Sequence, residues 1–314
     1  MKLLSMIALC VVASASLAVQ CRAQDQAPVR SLLPELEKIA REDGDAFFTI
    51  CEIANGESHS VVIRDNIRCH NAYSIAKLFV VVALGVMEDK GLLDVDEPVY
   101  PILKDKFPKD FDSKWRDVKI SDVIRHRVGY GTPGFLDIDA DNSAKWDRDF
   151  LKIALSAPLK YAPGEKYVYT DAAFYLASRI ASEKSGEKLN EFMIREILEP
   201  LEFQEYAFST DPEGYPIGAT GFYSSTEDMA KLGLMLVQDG VYNGKRILSK
   251  EFVDKAFERT FELYPVGDEG VAFTKGGMNG QLLYMNRRTK RVVAAHSFQG
   301  STSKLLKFLA EADK

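Results

Sequence analysis

Apolar residues recur with a helical period over 28–43, where Leu32, Leu33, Leu36, Ile39 and Ala40 share one face. Strand-like runs follow at 47–53 and 60–64. They flank Ala54-Asn55-Gly56-Glu57, whose Asn-Gly pair predicts a hairpin turn. From Ser74 the pattern changes again. Leu78-Phe79-Val80-Val81-Val82-Ala83-Leu84 is apolar nearly all round, which predicts a helix buried on every side and stopped at Lys90-Gly91. The middle alternates amphipathic windows with Pro and Gly, predicting helices over 121–127, 143–156, 171–184, 189–198, 225–238 and 249–259. Near the end, 281–286 and 291–297 flank Arg287-Arg288-Thr289-Lys290 as a second hairpin, and 301–312 reads as a closing helix. Strands at both ends with helices between them predict an α+β fold. One antiparallel sheet would be built from the N- and C-terminal strands, flanked by helices, with a helical region inserted.

The 314 residues, 46% hydrophobic and 27% charged, are ample for one large core. Lys2 and the apolar run Leu3–Val19 read as a secretory signal peptide, 1–23, with cleavage after Ala23 favoured over Ala18. A membrane anchor is the weaker reading, because the run is short and broken by Ser5, Ser14 and Ser16. Lipidation at Cys21 is disfavoured by the preceding Gln20. A periplasmic or secreted protein is therefore expected, with a single domain over 24–314: an α/β part at about 24–85 and 265–314, and a helical part at about 86–264. Losing Lys2 and Arg22 and no acidic residue takes the formal charge from −6 to −8. An acidic chain without a basic run is a poor partner for nucleic acid or an anionic membrane surface. Cys51 and Cys69, the cysteines left after cleavage, either pair across the first hairpin or stay as two buried thiols. The four histidines lack metal-ligand spacing, so neither a metal nor another cofactor is expected.

Candidate chemistry starts at Ser74-Ile75-Ala76-Lys77. Three residues apart on a helix, the two side chains share a face, and a neutral lysine there is able to take the hydroxyl proton. The spacing alone is weak, since Ser185-Gly186-Glu187-Lys188 and Ser301-Thr302-Ser303-Lys304 repeat it. Context separates the first copy. Lys77 lies one turn into an apolar helix, where a lysine is costly without a partner or a task. Ser74 at the helix start either caps it or offers its own N–H as an oxyanion donor. Tyr169-Thr170-Asp171 precedes an amphipathic helix. Thr170 or Asp171 suits a cap, and a tyrosine brought near two lysines is expected to favour its phenolate. Lys275-Gly276-Gly277 falls where a strand is expected; its lysine offers fixed positive charge and its glycines a close backbone approach, or simply a bulge. Gly129-Tyr130-Gly131-Thr132-Pro133-Gly134 matches GxGxxG, but it lacks the strand before and helix after that dinucleotide binding needs.

Taken in order, these segments resemble the serine β-lactamase and penicillin-binding-protein superfamily, in particular its class C β-lactamase-like branch, with Ser-x-x-Lys, then Tyr-x-Asn, then Lys/His-x-Gly. Ile120-Ser121-Asp122-Val123-Ile124-Arg125-His126, Pro163-Gly164 ahead of Tyr169, and Gly221-Phe222-Tyr223-Ser224-Ser225-Thr226-Glu227-Asp228-Met229-Ala230 are similar to further family segments. The resemblance implies a β-lactamase/transpeptidase-like fold, with Ser74 as the acylated nucleophile and Lys77 and Tyr169 sharing the base and proton-relay work. It implies that Asp171, Lys275, Gly276, Gly277 and Met278 contact the substrate, the Ser74 and Met278 N–H groups forming the oxyanion hole. Asp171 departs from the family's Asn. A carboxylate there opposes proton loss from Lys77 and cannot donate to a substrate carbonyl. Arg127-Val128-Gly129 replaces the family's Thr-Ser-Gly after the histidine. The implied activity is hydrolysis of an amide or ester through an acyl-enzyme, on a small-molecule or peptidoglycan-derived substrate. The competing expectation is a penicillin-binding or peptidoglycan-sensing protein that acylates without efficient turnover.

Overall fold

The structure is a computed structural model and describes residues 28–42, 44, 46–64, 67–131 and 149–314. The expected leader 1–23, Thr132–Gly134 of the Gly129–Gly134 segment, and the start of the helix expected from 143 lie outside these residues. In chain order the elements are α1 (Leu33–Glu42), β1 (Phe47–Ala54), β2 (Glu57–Val62), β3 (His70–Asn71), α2 (Ala76–Asp89), α3 (Val99–Leu103), α4 (Ile120–Val123) and α5 (Phe150–Ser156). There follow α6 (Asp171–Ser185), α7 (Leu189–Met193), β4 (Tyr206–Phe208), β5 (Phe222–Ser224), α8 (Thr226–Val237), β6 (Val241–Tyr242), β7 (Lys245–Arg246) and α9 (Lys250–Glu258). The chain closes with β8 (Tyr264–Val266), β9 (Ala272–Gly277), β10 (Gln281–Asn286), β11 (Val292–Ser297) and α10 (Thr302–Ala312).

A six-stranded antiparallel sheet in the order β2-β1-β11-β10-β9-β8 joins the two ends of the chain, with Ile50 opposite Ala295 and Ile53 opposite Val292. Successive strand residues face opposite sides, so the sheet serves two cores. Ile50, Leu282, Tyr284 and Val293 pack with Leu36 of α1 and Leu305 and Leu309 of α10. Cys51, Ile53, Leu283, Met285 and Ala294 instead face α8 and the helical region. Gly233 lets α8 sit close, because a Cβ there would lie 2.7 Å from Val292 Cγ1. The all-round apolar segment behaves as expected: α2 buries every residue from Ala76 to Met87 and packs against α6, α7 and α9.

The expected α+β architecture and both hairpins are present, and Asn55 (φ 55°) and Gly56 (φ 80°) form the two-residue turn of the first. The sheet is larger than two hairpins, because β9 and the edge strand β8 extend it. Pro265 suits that edge, where its missing N–H leaves no ladder bond unmade. A small sheet, β3-β5-β4, lies beside α2. The helix expected over 121–127 is one turn, because the chain leaves it at His126 with φ 56°. Residues 189–198 change from an α to a π turn after Met193. α8 falls in the stretch expected to be a helical insertion, yet packs on β1, β10 and β11. Cys51 and Cys69 are both free thiols.

A buried network ties the N-terminal segment to the C-terminus. The Arg291 guanidinium pairs with Glu52, donates through Nε to Asp313 Oδ1 at 3.0 Å, and reaches the Arg30 carbonyl at 2.8 Å. Glu52 also accepts the Leu32 N–H at 2.9 Å. Removing one partner leaves an uncompensated buried charge, so Arg291→Met is expected to lose about 3–5 kcal/mol of stability, read in urea unfolding; a loss below about 1 kcal/mol would show the network to be dispensable. His296 is fully buried, its Nδ1 3.0 Å from Thr226 Oγ1, and burial, aided by His70, lowers its pKa to about 3. Between about pH 6.5 and pH 3 the unfolded imidazole takes a proton that the folded one refuses, so stability should fall as pH drops through that window. His296→Gln should flatten the decline in urea midpoints measured at stepped pH; an unaltered slope contradicts this assignment.

Candidate active site

The nucleophile candidate is set by the turn ahead of α2. Ser74 is the middle residue of a 3-10 turn, Tyr73–Ile75, and α2 begins only at Ala76 with Ile75 as its N-cap. Ser74 therefore does not cap the helix, which leaves its hydroxyl for other partners. Tyr73 adopts the left-handed φ of 47°, a conformation costing a bulky residue about 1–3 kcal/mol. Three bonds hold it there. Asn71 Oδ1 accepts the Tyr73 N–H at 2.8 Å, the Ala72 N–H donates to the Phe222 carbonyl at 2.8 Å, and Asn279 Nδ2 donates to the Tyr73 hydroxyl at 3.0 Å.

Lys77, with none of its side chain exposed, extends from α2 beneath this turn. Its Nζ lies 3.2 Å from Ser74 Oγ, 2.6 Å from Asp171 Oδ1 and 2.8 Å from the Ala219 carbonyl. An ammonium has three donors, and here each has an acceptor. Thr170, not Asp171, caps α6, its Oγ1 accepting the Ala172 N–H at 3.2 Å. Asp171 is thereby left to face Lys77. Tyr169 donates its hydroxyl to Ser74 Oγ at 2.8 Å, with Lys77 Nζ 4.9 Å and Lys275 Nζ 5.7 Å from its ring centre. The expected resting phenolate is not supported. Burial raises the Tyr169 pKa and outweighs the pull of Lys275, with Glu262 and Asp171 pushing the same way as burial. At rest Tyr169 is a phenol.

Lys275, on β9, is buried and paired with the Glu262 carboxylate just ahead of β8. Glu262 is the residue that sequence reasoning missed. It is 1% exposed, has φ 58°, and gathers Lys275 on one oxygen with His126 Nε2 at 3.0 Å and the Tyr264 hydroxyl at 3.3 Å on the other. Burial alone would raise its pKa. The charges of Lys275 and Lys77, with His126 as a close hydrogen-bonding partner, outweigh burial and lower it to about 2. His126 accepts the Thr170 N–H on Nδ1 at 3.2 Å and lies over the Tyr169 ring, 4.4 Å between centres. The only hint of Glu262 in the sequence is a carboxylate between Phe261 and Leu263, both of which are buried.

The two glycines after Lys275 do different jobs. A Cβ on Gly277 would lie 2.6 Å from the Ala72 carbonyl, so only glycine lets β9 close on the Ser74 turn. Gly276 is exposed and has room for a Cβ. β8 pairs with β9 over Ala272–Thr274, leaving Lys275, Gly276 and Gly277 without a strand partner on that side. Met278 follows, 63% exposed. The structure thus brings Ser74, Lys77, Tyr169, Asp171 and Lys275 around one point and the Gly276–Met278 edge beside it. The Ser185 copy forms no such pair, since Ser185 bonds the Ser182 and Glu187 carbonyls while Lys188 reaches the Glu213 carbonyl, and Ser301 and Lys304 of the third copy are exposed. Among the described residues no group of three His, Cys, Asp or Glu side chains is placed to hold a metal ion.

The Beta-lactamase family profile matches residues 69–311. A putative D-alanyl-D-alanine carboxypeptidase of Escherichia coli K12 is 26% identical over 155 residues, which is 46% of this chain and 36% of that protein. The chain therefore spans about a third of the length of that curated relative. A putative 6-aminohexanoate-dimer hydrolase from Bacillus anthracis superposes with a TM-score of 0.74 at 17% identity, over 88% of this chain and 80% of that one. The octameric penicillin-binding protein homologue of Pyrococcus abyssi gives 0.67 at 19% identity, over 90% and 77%. The sheet, the buried Ser-x-x-Lys helix and the match over most of its length make this chain a member of the Beta-lactamase family.

Proposed function

We propose that the protein is a secreted serine hydrolase that opens an amide or ester through an acyl-enzyme on Ser74. The observation that carries this reading is the convergence of Lys77 Nζ and the Tyr169 hydroxyl on Ser74 Oγ, at 3.2 and 2.8 Å. In the first half-reaction Oγ bonds to the substrate carbonyl carbon. The serine proton passes to the Tyr169 oxygen as Tyr169 gives its own to the leaving nitrogen or oxygen, and the C–N or C–O bond breaks. Water repeats the relay in reverse and frees the acid. A phenol that gives and receives in one step needs no resting phenolate, in keeping with the raised Tyr169 pKa. Lys77 supplies fixed positive charge beside the shifting proton, and the Ser74 and Met278 N–H groups receive the oxyanion.

The unpaired edge of β9 spans only Lys275–Gly277, which suits a short acyl segment such as a D-amino-acid peptide, a small ester or a β-lactam. The leader-like N-terminus and the bacterial carboxypeptidase relative support a periplasmic setting. A second reading, a penicillin-binding sensor that acylates and stays acylated, is favoured by Asp171, which occupies one of the three Lys77 donors.

Intact-mass measurements with a penicillin and with an activated ester separate these readings. A Ser74-dependent adduct that forms and clears supports the hydrolase; one that persists supports the sensor; identical adducts on Ser74→Ala remove Ser74 from both. Asp171→Asn is expected to speed acylation by β-lactams, because it keeps an oxygen to accept from Lys77 and restores an amide donor for a substrate carbonyl, and stopped-flow rates at or below wild type contradict this. Tyr169→Phe should cost ~10²-fold or more in steady-state turnover, and near wild-type rates would take Tyr169 out of the relay.

A further inference from the structure

Beside Glu262 the chain forms a cavity of about 50 Å³, lined by Arg125, Arg127, Tyr167, Thr260, Glu262 and Tyr264. Two guanidinium groups flank it because Arg125 and Arg127 sit on either side of His126, whose left-handed φ of 56° turns the chain at that point. Neither arginine has a carboxylate partner among the described residues. Arg127 donates through one amine to the Gly164 and Glu165 carbonyls, at 3.2 and 3.3 Å. Arg125, half-buried, makes no hydrogen bond or ion pair among the described residues. The nearby Asp96 brings no relief, since both its oxygens already hold the Arg259 fork, at 2.8 and 2.9 Å. Burial, then the charges of Arg127 and Arg259, lower the Arg125 pKa and outweigh the opposing pull of the Asp122 and Asp96 carboxylates, neither of which it bonds.

Glu262 does not neutralise this cavity. Its carboxylate is already shared among Lys275, His126 and Tyr264. What remains is two guanidinium forks with unused donors, ringed by the hydroxyls of Tyr167, Tyr264 and Thr260, in a space of roughly three waters. Two guanidinium forks with spare donors, set against the one Glu262 carboxylate that Lys275 already pairs, match a further carboxylate, which accepts a bidentate fork.

The cavity also lies close to the reaction centre. Tyr167 and Tyr264 meet at its rim, 3.2 Å between hydroxyls, and Tyr167 is two residues before Tyr169 in a non-helical stretch. Two extended residues span about 7 Å. We propose that the Arg125–Arg127 cavity is a carboxylate-binding subsite, placed to take an acidic group carried about 7–10 Å from the bond that Ser74 attacks. This inference rests on the hydrolase reading for the identity of its occupant, though not for the existence of the site.

Calorimetric titration of the full chain carrying Ser74→Ala, where no chemistry intervenes, tests the site directly. Succinate is expected to bind saturably at low ionic strength and the neutral diamide succinamide not to bind. Arg125→Gln should weaken succinate about 10- to 100-fold, the range expected for losing a charged hydrogen-bonded contact. Arg125→Lys, which keeps the charge and loses the fork, should fall between the two and guards against a folding defect. Failure of wild-type residues at 125 and 127 to bind succinate, or equal affinity in Arg125→Gln, overturns the proposal. A kinetic arm identifies the source of the carboxylate. The preference of the active enzyme for mono-p-nitrophenyl succinate over p-nitrophenyl butyrate, as a ratio of kcat/KM, should drop about tenfold in Arg125→Gln when the substrate carries the acid. Succinate binding with an unchanged ratio assigns the site to a free carboxylate instead. If neither ester is turned over, the hydrolase reading fails while the titration still decides the subsite.

Discussion

The burial of one ammonium group organises the active region. Lys77 has no exposed side-chain surface, and a charge so placed is tolerated only when every donor is met. Its acceptors come from three separate parts of the chain: Ser74 from the turn before α2, Asp171 from the first turn of α6, and Ala219 from the segment leading into β5. Satisfying that group therefore fixes the relative placement of α2, α6 and the small sheet. The nucleophile candidate sits where it does because Lys77 needs it there.

A second buried pair does the same on the other side of Tyr169. Glu262 holds Lys275 from β9 and meets His126 from the loop after α4. Tyr169 lies between the two lysines, its ring against His126 and its hydroxyl on Ser74. Strained backbone accumulates around the same point: Tyr73, His126, Glu262 and Asn279 all have φ between 47° and 62°. Such conformations persist only where surrounding contacts over-determine them, and here the contacts are the hydrogen bonds and ion pairs of the site itself. Rigidity at this place suits a relay whose steps need donor and acceptor held near 3 Å.

Much of this is legible in the sequence. The apolar run of α2, the Asn-Gly turn and the C-terminal hairpin have local signals, and the Ser74, Tyr169 and Lys275 segments stand in a recognisable order. What escaped is what depends on distant partners. β3, β4 and β5 are two or three residues long, too short to show a period, and β8 carries a proline that reads as a break. Glu262 belongs to no pattern; its meaning comes only from Lys275 and His126 arriving beside it. Ser74 reads as a plausible cap until the helix is seen to begin at Ala76. The protonation of Tyr169 turned on burial, which outweighs the pull of Lys275 and is not written in residue order.

The measurement closest to the central claim is the rate of Ser74 acylation in Lys77→Ala, followed by intact mass against the wild type, with thermal melting to confirm a folded chain. If the buried ammonium organises and polarises the nucleophile, acylation by an activated ester should fall by ~10²-fold or more in a protein that still melts cooperatively. Acylation at the wild-type rate in that variant would contradict the account, since Ser74 would then be reactive without the group said to place it.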